Sequence, residues 1–215
     1  MAKAPSSVFA FIVKNLLVRT VEKDTFRFDA KAGRIEWKAN KTEEYRLTVD
    51  GLVKQSKSFT YSDLKSFTQI EQVSDFHCVE GWSVQDIPWS GFRFREIMSR
   101  VEPESKATHI VFHSFGKTGS APEGQDHYIE SLPINELLDP KREILLVLNM
   151  NRNPLPEDHG GPLRLIAPYD LGYKSIKYIS RIEFAHGARP GWWTLANPIY
   201  EIEARVPANR LRKKN

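Results

Sequence analysis

The chain has 215 residues, one cysteine, 40% hydrophobic residues and a formal net charge of +4. That length and apolar content suffice for one sizeable core or two small ones. A lone cysteine excludes an intrachain disulfide and a CxxC-type zinc site, so cysteine usage does not report the redox compartment.

The first feature in chain order is the apolar stretch 8–18, "VFAFIVKNLLV". Lys14 interrupts it, and it is too short to cross a bilayer. With no strong basic n-region and no twin arginine, it is expected to pack on the domain as an amphipathic helix. By absence of a signal the expected location is cytoplasmic, with the periplasm as the alternative. Residues 44–53, "EYRLTVDGLV", alternate, with Tyr45, Leu47 and Val49 on one face before an Asp50-Gly51 turn. Residues 60–67 predict a short helix with a Thr or Ser cap. Phe94, Ile97, Met98 and Val101 recur at i, i+3, i+4 and i+7, the stripe of an amphipathic helix that ends before Pro103.

Residues 109–115, "HIVFHSF", predict a strand with His109, Val111, His113 and Phe115 on one face. A short helix is expected at 132–140. The unbroken apolar run "EILLVLNM" at 143–150 predicts a strand buried on both faces. Residues 174–184 alternate, with Ile176, Tyr178, Ser180, Ile182 and Phe184 on one face and Lys177, Arg181 and Glu183 on the other, which predicts a strand. Strands and short helices mix without a βαβ rhythm, so the fold class is α+β with a mixed sheet. The basic tail at 205–214 reads as a solvated, frayed end. It lacks interleaved aromatics, so no nucleic acid is expected as a partner.

Three constellations could carry chemistry. Cys78 sits in "FHCVEGWS", between His77 and Glu80-Gly81-Trp82. By residue type alone a single cysteine reads as inert core. It could also be a nucleophile paired with a histidine, or a metal ligand, and either role needs positive charge or a metal to lower the thiol pKa. The second is 149–165, "NMNRNPLPEDHGGPLRL", a long loop whose prolines argue against disorder. It brings together an imidazole (His159), two glycines and a guanidinium (Arg164), a donor set suited to a planar anion. The bland alternative is a structural loop with Arg164 in a surface ion pair. The third is 168–177, "PYDLGYKSIK", a glycine-containing turn with Lys174, Ser175 and Lys177 that could form an anion nest. Neither the P-loop nor the dinucleotide spacing is present. One soft thiolate and two anion-type loops suggest a metal held by a phosphorylated organic cofactor.

The segments "HCVEGWSVQDIPWSG" (77–91), "HYIESLPINEL" (127–137) and "NMNRNPLPEDHGGPLRLIAPYDLGYKSIKYISRIEF" (149–184), in that order, resemble the sulfite oxidase-like molybdopterin oxidoreductases. Within that family they are most similar to the catalytic subunits of the bacterial molybdenum-dependent methionine sulfoxide reductases. The resemblance spans roughly residues 44–184. It implies an α+β, mixed-sheet, sulfite oxidase-type catalytic domain over 44–187. Residues 1–43 would then be an N-terminal segment packed on the domain, and 188–215 a C-terminal extension with a basic tail.

The resemblance also implies molybdopterin bearing molybdenum as cofactor, with Cys78 as the protein ligand to the metal. His159 and Arg164 would bind the pterin and its phosphate. Gly172, Tyr173 and Lys174 would cradle the phosphate, with Ser175 and Lys177 nearby. His113 falls where the reductases have a threonine in contact with the pterin, and Tyr128 where a tyrosine lies near the substrate pocket. Eukaryotic-type sulfite oxidases carry Cys-Ala-Gly-Asn-Arg where this chain has Cys78-Val79-Glu80-Gly81-Trp82. A glutamate there repels sulfite. After Phe184 there is no room for those enzymes' immunoglobulin-like dimerisation domain. The N-terminal Asn and Tyr-Ala pterin contacts of the reductases have no clear counterpart.

The implied activity is two-electron oxygen-atom transfer, the reduction of an S-oxide or N-oxide. The alternatives are a non-catalytic molybdopterin-binding subunit of a larger redox complex, sulfite oxidation, or a Cys–His hydrolase. Implied partners are a small-molecule or protein-bound oxide and a haem- or quinol-linked electron-donor subunit, with no transmembrane segment in this chain.

Overall fold

The computed structural model describes residues 26–38 and 40–212, so the helix expected at 8–18 lies outside the described residues. A small antiparallel sheet comes first: β1 (Phe26–Asp29), β2 (Arg34–Trp37) and β3 (Thr42–Glu44). Phe26 and Phe28 of β1 rest edge-on against Phe115, Tyr178 and Tyr61, which fastens this sheet to the main core.

The alternating stretch at 44–53 forms β4 (Arg46–Gly51), with Leu47 and Val49 fully buried. It pairs with β5 (Lys57–Thr60), which runs straight into helix α1 (Tyr61–Ser66). Thr60 caps that helix reciprocally: its hydroxyl accepts the Asp63 N–H, and the Asp63 carboxylate accepts the Thr60 N–H. Strands β6 (Ile70–His77) and β7 (Ser83–Phe92) form a long hairpin that leads into α2 (Arg95–Val101). Ile97 and Val101 of α2 are buried, as the apolar stripe requires.

β8 (His109–Ser114), β9 (Ile129–Pro133) and the short α3 (Ile134–Leu138) follow, then β10 (Leu145–Met150), β11 (Asn153–Pro154), β12 (Arg164–Ile166), β13 (Ile179–Ala185) and α4 (Trp192–Ala196). One five-stranded sheet has the order β5-β4-β13-β8-β9 and is mixed, because β4 and β13 run parallel while its other pairs are antiparallel. A second sheet, β11-β10-β7-β6 with β12 beside β10, is antiparallel throughout.

The main core lies between these sheets. β10 explains its own composition: Leu146 and Leu148 enter the main cluster, while Leu145 and Val147 enter a second one with Val84, Ile87, Trp89 and Ile166. A strand covered on both faces reads as a continuous apolar run.

Two expectations are corrected. The strand at 174–184 begins only at Ile179. Residues 172–174 form a 3-10 turn, and Tyr178 adopts a left-handed φ of 60°. Ile176 and Tyr178 are still buried, so their alternation reports burial in a wrapped loop rather than strand geometry. The basic tail is not a frayed end over its described part. Arg205 pairs with Asp170 and Glu136, Arg210 donates to the Trp82 carbonyl, and Arg212 grips Asp75 and Asp86.

Candidate functional site

Cys78 sits at the tip of the β6–β7 hairpin. The five residues from Cys78 to Trp82 close the turn by two backbone bonds: Cys78 N–H to Trp82 O at 2.9 Å, and Gly81 N–H to Cys78 O at 3.2 Å. Gly81 has φ +94°, a conformation that L side chains rarely adopt. The turn is tied down on both sides by His77, which is buried with its Nδ1 2.7 Å from Ser83 Oγ. Burial holds the His77 pKa below the ordinary imidazole value. Cys78 is half-buried, and Glu80 is its neighbour, with Oε2 3.9 Å from Sγ. The same carboxylate oxygen accepts the Trp82 indole N–H at 3.1 Å.

The second wall is positive. Arg164 enters on β12 and is only 3% exposed. Its guanidinium donates to the carbonyls of His159 (2.8 Å) and Ser175 (3.1 Å), rather than to a surface carboxylate. Burial pulls its pKa down to about 10. Lys177 donates to the Asp158 carbonyl at 2.6 Å; burial, and then the Arg164 guanidinium, pull its pKa down to about 7. Both side chains are penalised by desolvation, and Lys177 also by the Arg164 guanidinium, so this wall carries positive charge.

A parallel bridge between His77 and Leu171 joins the thiol hairpin to the loop that carries the cations. Between them lies a cavity of about 140 Å³. Cys78, Glu80, Arg164, Ser175 and Lys177 line it, and Trp82, Tyr128, Trp193 and Tyr200 supply aromatic walls. Tyr128 and Trp193 lie nearly parallel, with ring centroids 6.1 Å apart. Gly172 is required for close approach, because a Cβ there would meet the Phe76 ring at 2.2 Å. Ser175 Oγ accepts the Ala167 N–H at 3.1 Å.

Cys78, Tyr128, Arg164, Gly172, Tyr173, Ser175 and Lys177 are therefore brought together. Three other expected residues are not. Lys174 is 1% exposed and turns its ammonium inward to Glu130 (2.5 Å), the Ser131 carbonyl and the Ile202 carbonyl, so its charge is already matched. His159 offers its carbonyl to Arg164, but its ring is not among the cavity walls.

His113 faces a separate open groove with Trp37, Lys117, Asp126, His127 and Arg181. There its Nδ1 is 3.2 Å from His127 and its Nε2 3.1 Å from Glu183. Burial, then Arg181, pushes its pKa down to about 4. Trp193 and Tyr200 were not expected from the sequence. The paired tryptophans at 192–193 in an otherwise polar terminal segment were the available signal.

The family model "oxidoreductase molybdopterin binding domain" matches residues 33–193. A protein-methionine-sulfoxide reductase catalytic subunit MsrP of Ralstonia nicotianae is 36% identical over 160 residues, covering 72% of this chain and 47% of that protein. The protein of the same name from Pseudomonas syringae pv. tomato is 32% identical over 175 residues, covering 77% and 51%. The chain thus spans about half the length of these curated relatives. The sulfane dehydrogenase SoxCD of Paracoccus pantotrophus has a similar fold, with a TM-score of 0.58 at 17% identity over 86% of this chain and 54% of that one. The mixed-sheet α+β architecture is the one expected, and the chain belongs to the oxidoreductase molybdopterin-binding domain family.

Proposed function

We propose that the chain is a molybdenum- and molybdopterin-dependent oxidoreductase that reduces an S-oxide or N-oxide. The observation that carries this reading is the cavity lined by the chain's only thiol together with Arg164 and Lys177. The residues present fit the group. A thiolate suits a soft metal. Arg164 and Lys177, both depressed in pKa by burial, gain from an anion such as a phosphate.

When bound, the molybdenum–molybdopterin group supplies two-electron oxygen-atom transfer. Cys78 Sγ would ligate the metal, and Arg164, Ser175 and Lys177 would hold the cofactor's anionic arm. Tyr128, Trp193 and Tyr200 restrict water and present apolar faces to a substrate. Glu80 Oε2, 3.9 Å from the thiol, sets a negative charge beside the reacting position. That charge opposes sulfite and favours a neutral oxide. The electron donor would be a haem- or quinol-linked subunit. No helix among the described residues is long and apolar enough to cross a membrane.

The test is to produce the chain in a host that makes molybdopterin, measure bound molybdenum and pterin, and assay a panel of sulfoxides and N-oxides with an artificial reductant. Sulfite with an artificial acceptor is the counter-assay. One molybdenum per chain with oxide turnover is the expected result. Absence of molybdenum, or sulfite turnover exceeding that of every oxide, would overturn the reading.

A further inference from the structure

The tail that follows α4 crosses both walls of the cavity. Residues 204–206 run beside 169–171: Leu171 N–H donates to Ala204 O at 2.7 Å and Val206 N–H to Tyr169 O at 3.0 Å. The chain then makes a 3-10 turn at Ala208–Arg210 and reaches the Cys78 hairpin. Arg210 Nη2 donates to the Trp82 carbonyl at 2.7 Å and to Ser83 Oγ at 3.2 Å. The Trp82 carbonyl is also the acceptor of the Cys78 N–H, at 2.9 Å. Ser83 Oγ is also the partner of the His77 ring, at 2.7 Å. One guanidinium thus touches the carbonyl that accepts the Cys78 N–H and the hydroxyl that meets the neighbouring His77 ring. Two residues on, Arg212 bridges Asp75 of β6 and Asp86 of β7, farther along the same hairpin.

We propose that Arg210 is a positioning residue for Cys78: by holding the Trp82 carbonyl and Ser83 Oγ it fixes the Cys78 backbone, and with it the direction of the thiol. This rests on the reading that Cys78 is the metal ligand. A turn of five residues closed by two backbone bonds is a weak anchor for a metal ligand. A charged donor on its acceptor carbonyl is the stronger kind of hydrogen bond. Residues that orient a ligand through such contacts tune metal affinity without touching the metal.

The experiment compares the full chain with Arg210→Ala and Arg210→Lys, made cofactor-free in a host lacking molybdopterin synthesis and loaded in a competent host. Loss of a hydrogen bond from a charged donor is expected to speed hydrogen exchange at the Cys78 amide about tenfold in Arg210→Ala. Alkylation of Cys78 by iodoacetamide is expected to speed up by a similar factor, while the amides of β10 keep their rates. Arg210→Lys, which keeps the charge but loses the fork, falls between, and it carries the test if the alanine variant does not fold. In the loaded protein, Arg210→Ala shifts the metal-centred spectrum.

Exchange at Cys78 within about twofold of the parent in both variants would overturn the proposal. So would equal acceleration of the β10 amides, which marks general destabilisation. If the parent chain takes up no molybdenum, the metal reading fails separately, and the exchange measurement still decides the brace.

Discussion

The two walls of the cavity are built in opposite ways. The thiol wall is a half-buried turn, closed by two backbone bonds and reached by a tail more than a hundred residues away in sequence. The cation wall is deep: Arg164 is 3% exposed, and its donors are fixed on the carbonyls of His159 and Ser175. Position on the first wall comes from a few hydrogen bonds. On the second it comes from burial, at the cost of desolvating charge. The anion-holding side is prebuilt and costs the cofactor-free fold stability, whereas the ligand side can be adjusted by residues outside the turn.

The largest effect is expected at the thiol. Cys78→Ser is expected to lower molybdenum retention and oxide turnover by more than about 100-fold, since changes merely next to a metal ligand already cost about 10- to 100-fold. Metal analysis beside the turnover assay checks it, and a variant that keeps both removes Cys78 from the centre. Lys174→Met sharpens the cation wall by showing which lysine belongs to the fold. It leaves Glu130 buried and unpaired, so denaturant unfolding should show a loss of about 3–5 kcal/mol. Cofactor retention by the folded fraction should be unchanged; a large loss of retention with little loss of stability would reverse the assignment.

Lys177 supplies a pH signature. Its folded pKa lies below the ordinary 10.5, at about 7, so between those values the unfolded chain binds more protons than the folded one. Stability of the cofactor-free protein should therefore rise with pH across that window, by up to about 1.4 kcal/mol per unit for one proton. Lys177→Met should remove this slope, as should a bound anion that restores the lysine's charge. Denaturation midpoints from pH 7 to 10 with no such difference between parent and variant would show that the lysine is not desolvated. The smallest effect is expected at Arg212→Ala. Arg212 and Asp86 face solvent, and Asp75, though mostly buried, keeps the Asp86 N–H as a donor, so Tm should fall by only a few degrees.

How much could be read in advance differs from element to element. β4, α1, α2 and β10 were legible because apolar spacing and a Thr60 cap act locally. β7 was not, because it holds Pro88 and Gly91, residues that usually interrupt strands. Gly91 is there because β10 comes so close that a Cβ would lie 2.0 Å from the Leu146 carbonyl. The direction of a lysine was equally hidden. Lys174 and Lys177 stand three residues apart in one loop, yet only Lys177 lines the cavity, because Glu130 of β9 captures the other.

The sequence by itself determined the chemistry available: one thiol, a proline- and glycine-rich loop with an arginine, a lysine-bearing turn, and their order along the chain. These are properties of residue type and local spacing. Which of them face one cavity was decided only by tertiary structure. It put Cys78 in one cavity with Arg164 and Lys177, turned Lys174 inward and His113 into another groove, and drew Arg210 onto the Trp82 carbonyl. The physical reason is that side-chain direction follows from strand pairing and from the partner each buried charge finds, and both depend on residues far away in sequence.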